Sequence, residues 1–532
     1  MPASHARIPT TRASRYLAQL CQHSGQMARL GFDQPHRHSE GGAPPAARHA
    51  DWSQTSGIID FGGGRCTLDA TDEALTLRAE ASHPEQLQRI QEGIARRVER
   101  IGRRDRLTVT WLPTPAEAAL TAPADEHQAA TAIIDALTTP AGRADPFRLY
   151  ARAHELGPVS AITDGWFLVC GYGAVNQVLR DPRFGLPDPA KSRPGDGELS
   201  LLSRSILRAN PPDHPRMRSL MAQVFTPRRI AALRPAIEAA VDALLDRLAE
   251  AGADGQAVDF MDRFAFQLPV TVICELLGVP PADRDRFRPL AADLTEALEL
   301  SADTAGPSPA AAAARELAGY FTALIAQRRE NPVDDLTGAL VAACDGDDSR
   351  LSGEELLANL ILLLVAGFET TTNLLGNGLA LLLDRPETVT ALRTGSLEVS
   401  GFIEEVLRCE SPVQLITRQA RAGNLNVAGR PVPAGSQLIL LIGAANRDPA
   451  RYLDPDRFDP ARSDIRPLSF GAGPHICIGN SLARLEAAVA FPRLLARFPM
   501  IRAAADRPAA RRDRLVLRGY ETLPVVLARS SA

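Results

Sequence analysis

The segment FGAGPHICIG, Phe470 to Gly479, runs directly into a helical pattern from Asn480 to Phe498 and so places Cys477 at a helix start. Free amide N–H groups and the positive end of the helix dipole favour the thiolate there, the form that ligates iron. Gly471, Gly473 and Gly479 carry no side chain, so the backbone can approach a flat molecule closely and take φ values closed to other residues. A cysteine in a glycine-rich turn is often only structural. The full spacing FGxGxHxCxG points instead to a turn shaped for a planar guest.

Two further features lie upstream. Glu405 and Arg408 stand three apart on the helical stretch Gly401 to Arg408 and therefore share a face, although any solvated helix offers such a pair. Further back, AGFETT (Ala366 to Thr371) interrupts the apolar run LLANLILLLVAGFETTTNLLGNGLALLL with an acid beside an alcohol. A buried Glu is costly unless hydrogen-bonded or functional, and a helical Thr can bond its own backbone carbonyl instead of a ligand, so a satisfied helix kink is the alternative reading. The apolar core of this run, Leu360 to Phe368, is too short to cross a bilayer and reads as a buried helix.

The cysteine segment resembles the haem-binding loop of the cytochrome P450 superfamily. The resemblance covers about residues 130 to 530 and implies a mainly α P450 fold with small β-sheets. It implies haem b as cofactor, with Cys477 as axial iron ligand flanked by Phe470, Gly471, His475 and Gly479, its thiolate pushing electron density toward O–O cleavage. Glu405 and Arg408 become a buried structural ion pair. Ala366 and Gly367 leave room for dioxygen, and Glu369, standing where many members carry Asp, forms with Thr370 the proton-delivery pair. The two haem carboxylates need cationic or N–H partners; His214 and Arg218 in NPPDHPRMRSL, Arg418 in SPVQLITRQA, and His475 stand at matching places. Ala445 to Arg462 resembles the P450 meander, a packing element.

The implied activity is a haem-thiolate monooxygenase that inserts one oxygen atom from O2 into a small organic substrate by hydroxylation or epoxidation. A peroxide-driven peroxygenase and a haem-based sensor or binding protein are the alternatives. Gly62-Gly63-Gly64 and Gly471-Ala472-Gly473 are incomplete as dinucleotide fingerprints, and no room is left for flavin or iron–sulfur domains, so electrons are expected from a separate ferredoxin and NAD(P)H-dependent ferredoxin reductase. The substrate-lining loops, before Pro211 and between Val279 and Pro309, follow no readable code.

Before this portion, residues 1–115 read as a small two-layer α+β domain, joined by an Ala-, Pro- and Thr-rich linker at 116–129 to the haem domain at 130–532. Alternation predicts strands at Gly57 to Phe61, Cys66 to Ala70, Leu75 to Ala79 and Leu107 to Trp111; helical spacing predicts Thr11 to His23 and Pro84 to Ile101. RASRYLAQLCQH and GGGRCTLDATDEALTLRAEA resemble a bacterial domain family without known function, which carries no chemistry with it.

Composition bounds the partners. With 532 residues, 45% hydrophobic and 23% charged, the chain has ample material for more than one core. A formal net charge of -4 gives no basic field for nucleic acid. Seven cysteines without CxxC pairs, and an N-terminus lacking a secretory apolar core, point to a reducing cytoplasm with no membrane anchor. Cys21-x-His23 lacks the further ligands of a metal site.

Overall fold

The computed structural model describes residues 3–29, 47–105, 107–113, 125–163, 165–187, 200–295, 299, 309–345 and 351–527. Of the expected linker, 116–124 lies outside the described residues, as do 188–199 and 300–308 of the expected substrate loops. The chain divides into two compact units, residues 1–142 and 143–532.

In the first unit the chain order is β1 (Ala3–Pro9), α1 (Ala13–Arg29), β2 (His49–Trp52), β3 (Ser56–Asp60), β4 (Gly64–Ala70), β5 (Ala74–Ala81), α2 (Pro84–Ile101) and β6 (Leu112–Pro113), followed by α3 (Glu126–Leu137). The strands form one antiparallel sheet in the order β2-β3-β4-β5-β1-β6. Period-2 alternation puts Ala6, Ile8, Cys66, Leu68, Leu75 and Leu77 on one buried face. Leu17 and Leu20 of α1 and Ile90, Ile94 and Val98 of α2 close that face, giving two layers. The expected strand Leu107 to Trp111 is not one: only Leu112 and Pro113 pair with β1, while Leu107 is buried and the Trp111 indole donates to the Gln91 carbonyl at 3.1 Å. Side-chain anchoring, rather than ladder pairing, explains its alternation.

The second unit is mainly helical. Its long elements are α4 (Asp213–Val224), α5 (Arg234–Ala251), α6 (Gln267–Leu277), α7 (Arg284–Thr295), α8 (Pro309–Glu330), α9 (Gly353–Leu383), α10 (Val399–Cys409) and α11 (Asn480–Arg497). A mixed sheet runs β7 (Val159–Thr163), β8 (Trp166–Val169), β11 (Gln437–Leu441), β10 (Leu415–Ala420), β9 (Phe184–Gly185), with β8 and β11 parallel. A hairpin of β12 (Ala510–Arg511) and β13 (Tyr520–Thr522) follows α11.

The axis of this unit is α9, 31 residues long and so about 46 Å. A capping box starts it: the Ser352 hydroxyl accepts from Glu355 N–H, and the Glu355 carboxylate accepts from Ser352 N–H. Apolar on nearly every side, it must be covered all round, and α6, α7, α8, α10 and α11 all pack on it. It is the one helix among the described residues long and apolar enough to cross a membrane, and 72% of its most apolar window is buried inside the unit.

Candidate functional site

Local hydrogen bonds shape the cysteine loop. Cys477 N–H donates to Phe470 O at 2.9 Å and Gly471 N–H to Leu468 O at 2.7 Å, while the Asn480 amide donates to Cys477 O at 2.6 Å. Gly471 and Gly473 have φ of +69° and +67°, which favour glycine. At Gly473 a second demand applies, because a Cβ would stand 2.3 Å from Leu179 O; this glycine serves packing against its own protein rather than access for a planar guest. Gly479 caps α11, with room beside it. The Phe470 ring lies 4.4 Å from the Arg484 guanidinium, which is itself paired with Glu404.

Cys477 combines two properties. Its side chain is accessible, yet burial pushes its thiol pKa up, against the opposing pull of the Gly479 amide, Arg218 and Arg484. Burial thus opposes the nearby positive charges, and a cation bound at sulfur would favour the thiolate.

His214, Arg218, Arg418 and His475 converge beside this loop. The two imidazoles are 3.8 Å apart, and Arg218 donates to Ile476 O at 2.6 Å. His214 and Arg418 are buried, and His214 Nε2 has no hydrogen-bond partner. Burial lowers all four pKa values; mutual repulsion among the group adds to the effect on both histidines, leaving His475 at about 3 and Arg418 at about 10. Among the described residues none of the four pairs with a carboxylate. Four donors with an orphaned nitrogen and no anion fit a guest bearing carboxylates, as haem does.

On α9 the central turns are buried except at Ala366, Gly367 and Thr370, which share one face; Ala366 is exposed, whereas a Cβ at Gly367 would stand 3.2 Å from Ile273 Cδ1. The Thr370 hydroxyl donates to Ala366 O at 2.8 Å. Glu369 points elsewhere: it is fully buried and hydrogen-bonded to Arg512, with Arg514 at 3.6 Å. Its Oε2, Thr372 Oγ1 and both amide atoms of Asn373 are buried without partners. The arginines had no signal in the sequence, since Arg512 lies 143 positions from its acid.

Glu405 and Arg408 on α10 are wholly buried and joined by two bonds, of 2.7 and 2.8 Å. Arg408 also donates to the carbonyls of Asn446, Pro455 and Arg457, and Glu405 accepts from Asp459 N–H. One ion pair thereby fastens an irregular segment of more than ten residues.

Comparison with known proteins places these features in context. A family model described as Cytochrome P450 matches residues 309–518, and one described as an uncharacterized protein conserved in bacteria (DUF2218) matches residues 5–112. Cytochrome P450 monooxygenase PikC of Streptomyces venezuelae is 41% identical over 360 residues, covering 67% of this chain and 84% of that protein. Cytochrome P450 107B1 of Saccharopolyspora erythraea is 43% identical over 400 residues, covering 72% and 95%. The crystal structure of P450BioI in complex with a hexadec-9Z-enoic acid ligated acyl carrier protein aligns with a TM-score of 0.68 at 33% identity, over 73% of this chain and all of that one.

Proposed function

The chain belongs to the cytochrome P450 family of haem b-dependent monooxygenases, and from that premise we propose that it hydroxylates or epoxidises a small organic substrate, taking electrons from a separate ferredoxin and NAD(P)H-dependent ferredoxin reductase in the cytoplasm. In this reading the Cys477 sulfur would hold the haem iron, and the haem, when bound, would supply activation of O2. The small, exposed Ala366 leaves space beside the reacting centre, and Gly367 lets Ile273 pack closely against the same turn. His214, Arg218, Arg418 and His475 hold the haem carboxylates, and Glu405 with Arg408 secures the segment beneath. Glu369, held by Arg512 and Arg514, and Thr370, its hydroxyl turned from Ala366 O, serve as the proton-delivery pair.

The observation that carries the reading is the cluster of two arginines and two histidines, none paired with a carboxylate among the described residues, beside an accessible cysteine. The test is the absorption spectrum of the reduced, carbon monoxide-treated protein. The thiolate-type band is expected in the native chain and absent in Cys477→Ser; a band that survives this substitution overturns the reading. Substrate class is found by titrating a ligand library against the ferric Soret band. Because P450BioI was captured with its fatty acid on an acyl carrier protein, the library includes acids in free and carrier-bound form.

A further inference from the structure

Glu299 makes an unusual set of contacts. Its Oε2 accepts from the N–H groups of Leu515 and Val516, both at 2.8 Å, and its Oε1 accepts from Leu517 N–H at 3.0 Å. Three successive amides converging on one carboxylate form an anion-binding nest, here filled by the chain's own side chain. The far side of the same segment is fixed: Val516 O accepts from Gln414 N–H at 2.8 Å, and Arg518 N–H donates to Pro412 O at 2.9 Å. These residues belong to the loop between β12 and β13, whose start carries Arg512 and Arg514. Arg512 hydrogen-bonds Glu369, and Arg514 reaches both Glu369 at 3.6 Å and the buried Thr295 hydroxyl at 3.0 Å. One short loop thus touches Glu299 through its amides and Glu369 through its guanidinium groups.

We propose that Glu299 is a positioning residue for Glu369: by holding the amides of Leu515 to Leu517 it fixes the loop that presents Arg512 and Arg514, and so sets the orientation of the acid on α9. The proposal rests on Glu369 serving the reacting centre, as proposed above. Without the carboxylate the three amides lose their acceptor, the loop can relax, and both arginines shift relative to Glu369. Gln at this position keeps the shape but replaces one accepting oxygen with a donor that opposes an N–H group, which makes Glu299→Gln the informative change.

The probe is carbon monoxide on the reduced, haem-loaded protein, whose infrared stretch reports polar groups around the bound gas, together with hydrogen–deuterium exchange of the loop. Glu299→Gln is expected to speed exchange of the Leu515 to Leu517 amides roughly tenfold and to shift the stretch in the direction given by Glu369→Gln. The double variant is expected to match Glu369→Gln alone. Glu299→Asp, which keeps the charge, restores the native band in part. Should Glu299→Gln leave the stretch unchanged while Glu369→Gln moves it, or should the two shifts add, the positioning role is overturned and the role of Glu369 stands. If Glu369→Gln itself moves nothing, the reading of Glu369 fails and this proposal with it. Arg514→Gln probes the same connection from the loop side; an unshifted stretch there also overturns the proposal.

Discussion

Glu486 sits on α11, buried, with one carboxylate oxygen lacking any hydrogen-bond partner. Burial pushes its pKa well above the ordinary carboxylate range. A group whose folded pKa is raised contributes stability fully present below its unfolded value near 4.3, and that contribution is lost as pH rises through the folded value. Glu486→Gln is therefore expected to leave the melting temperature unchanged near pH 4.5. By pH 8 it should raise it relative to the native chain, the gap growing by up to about 1.4 kcal/mol per pH unit between the two pKa values. Melting curves across that range check this, and a gap that stays constant with pH refutes it. At Arg418, replacement by Leu removes a buried cation facing the proposed haem carboxylates. Haem transfer to a scavenging apoprotein should then quicken by one to two orders of magnitude, for about 1.5 to 3 kcal/mol of charge-assisted bonding lost. Thr370→Ala should cut O2-driven turnover about 100-fold while sparing turnover driven by added hydrogen peroxide; an equal loss in both assays would remove Thr370 from proton delivery.

At the scale of elements, the pair on α10 decides whether the segment after Asn446 has a fixed course. Arg408→Ala would leave the buried Glu405 with Arg462 as its remaining cationic partner, at 3.3 Å, and three backbone carbonyls deprived of their donor. A cost of about 3 to 5 kcal/mol is expected, read as a lower denaturation midpoint and poor haem retention. Arg408→Lys should recover little of it, since an ammonium cannot fork between Glu405 and the carbonyls. What the sequence made legible here was chemistry that repeats locally: the FGxGxHxCxG spacing, the i,i+3 pair, and an acid beside an alcohol in an apolar helix. What it hid was long-range. Neither the Arg512 contact to Glu369 nor the Glu299 contact to the Leu515 amides leaves a periodic trace, because each joins residues well over a hundred positions apart. The role of Gly473 was equally hidden. Only the approach of Leu179 O shows that this glycine answers to its own fold.

Over the whole molecule, helices were easier to anticipate than strands. Helix α2 has a long apolar stripe, and its ends fall on the expected bounds, Pro84 and Ile101. The strand β1 escaped notice because ASHARIP alternates Ser, Ala and Ile against His, Arg and Pro, with too little apolar contrast to stand out. Its pairing across all seven residues with β5 was a tertiary fact. The two units carry hydrophobic clusters with no residue in common. Calorimetry is accordingly expected to resolve two transitions. Leu77→Ala, at a fully buried position of β5, should lower one of them by about 2 to 5 kcal/mol and leave the other in place; a single shared transition that shifts as a whole would contradict it. The two arginines, Arg218 and Arg418, that stand with His214 and His475 have a bearing on the life of the chain in a cell. A protein that crowds like charges together until an anionic guest arrives is weaker without the guest, and gains stability with the logarithm of guest concentration. Synthesis that outpaces porphyrin production would leave newly made chains to proteolysis. Feeding a porphyrin precursor should accordingly raise the amount of protein recovered, and not merely the fraction that is coloured.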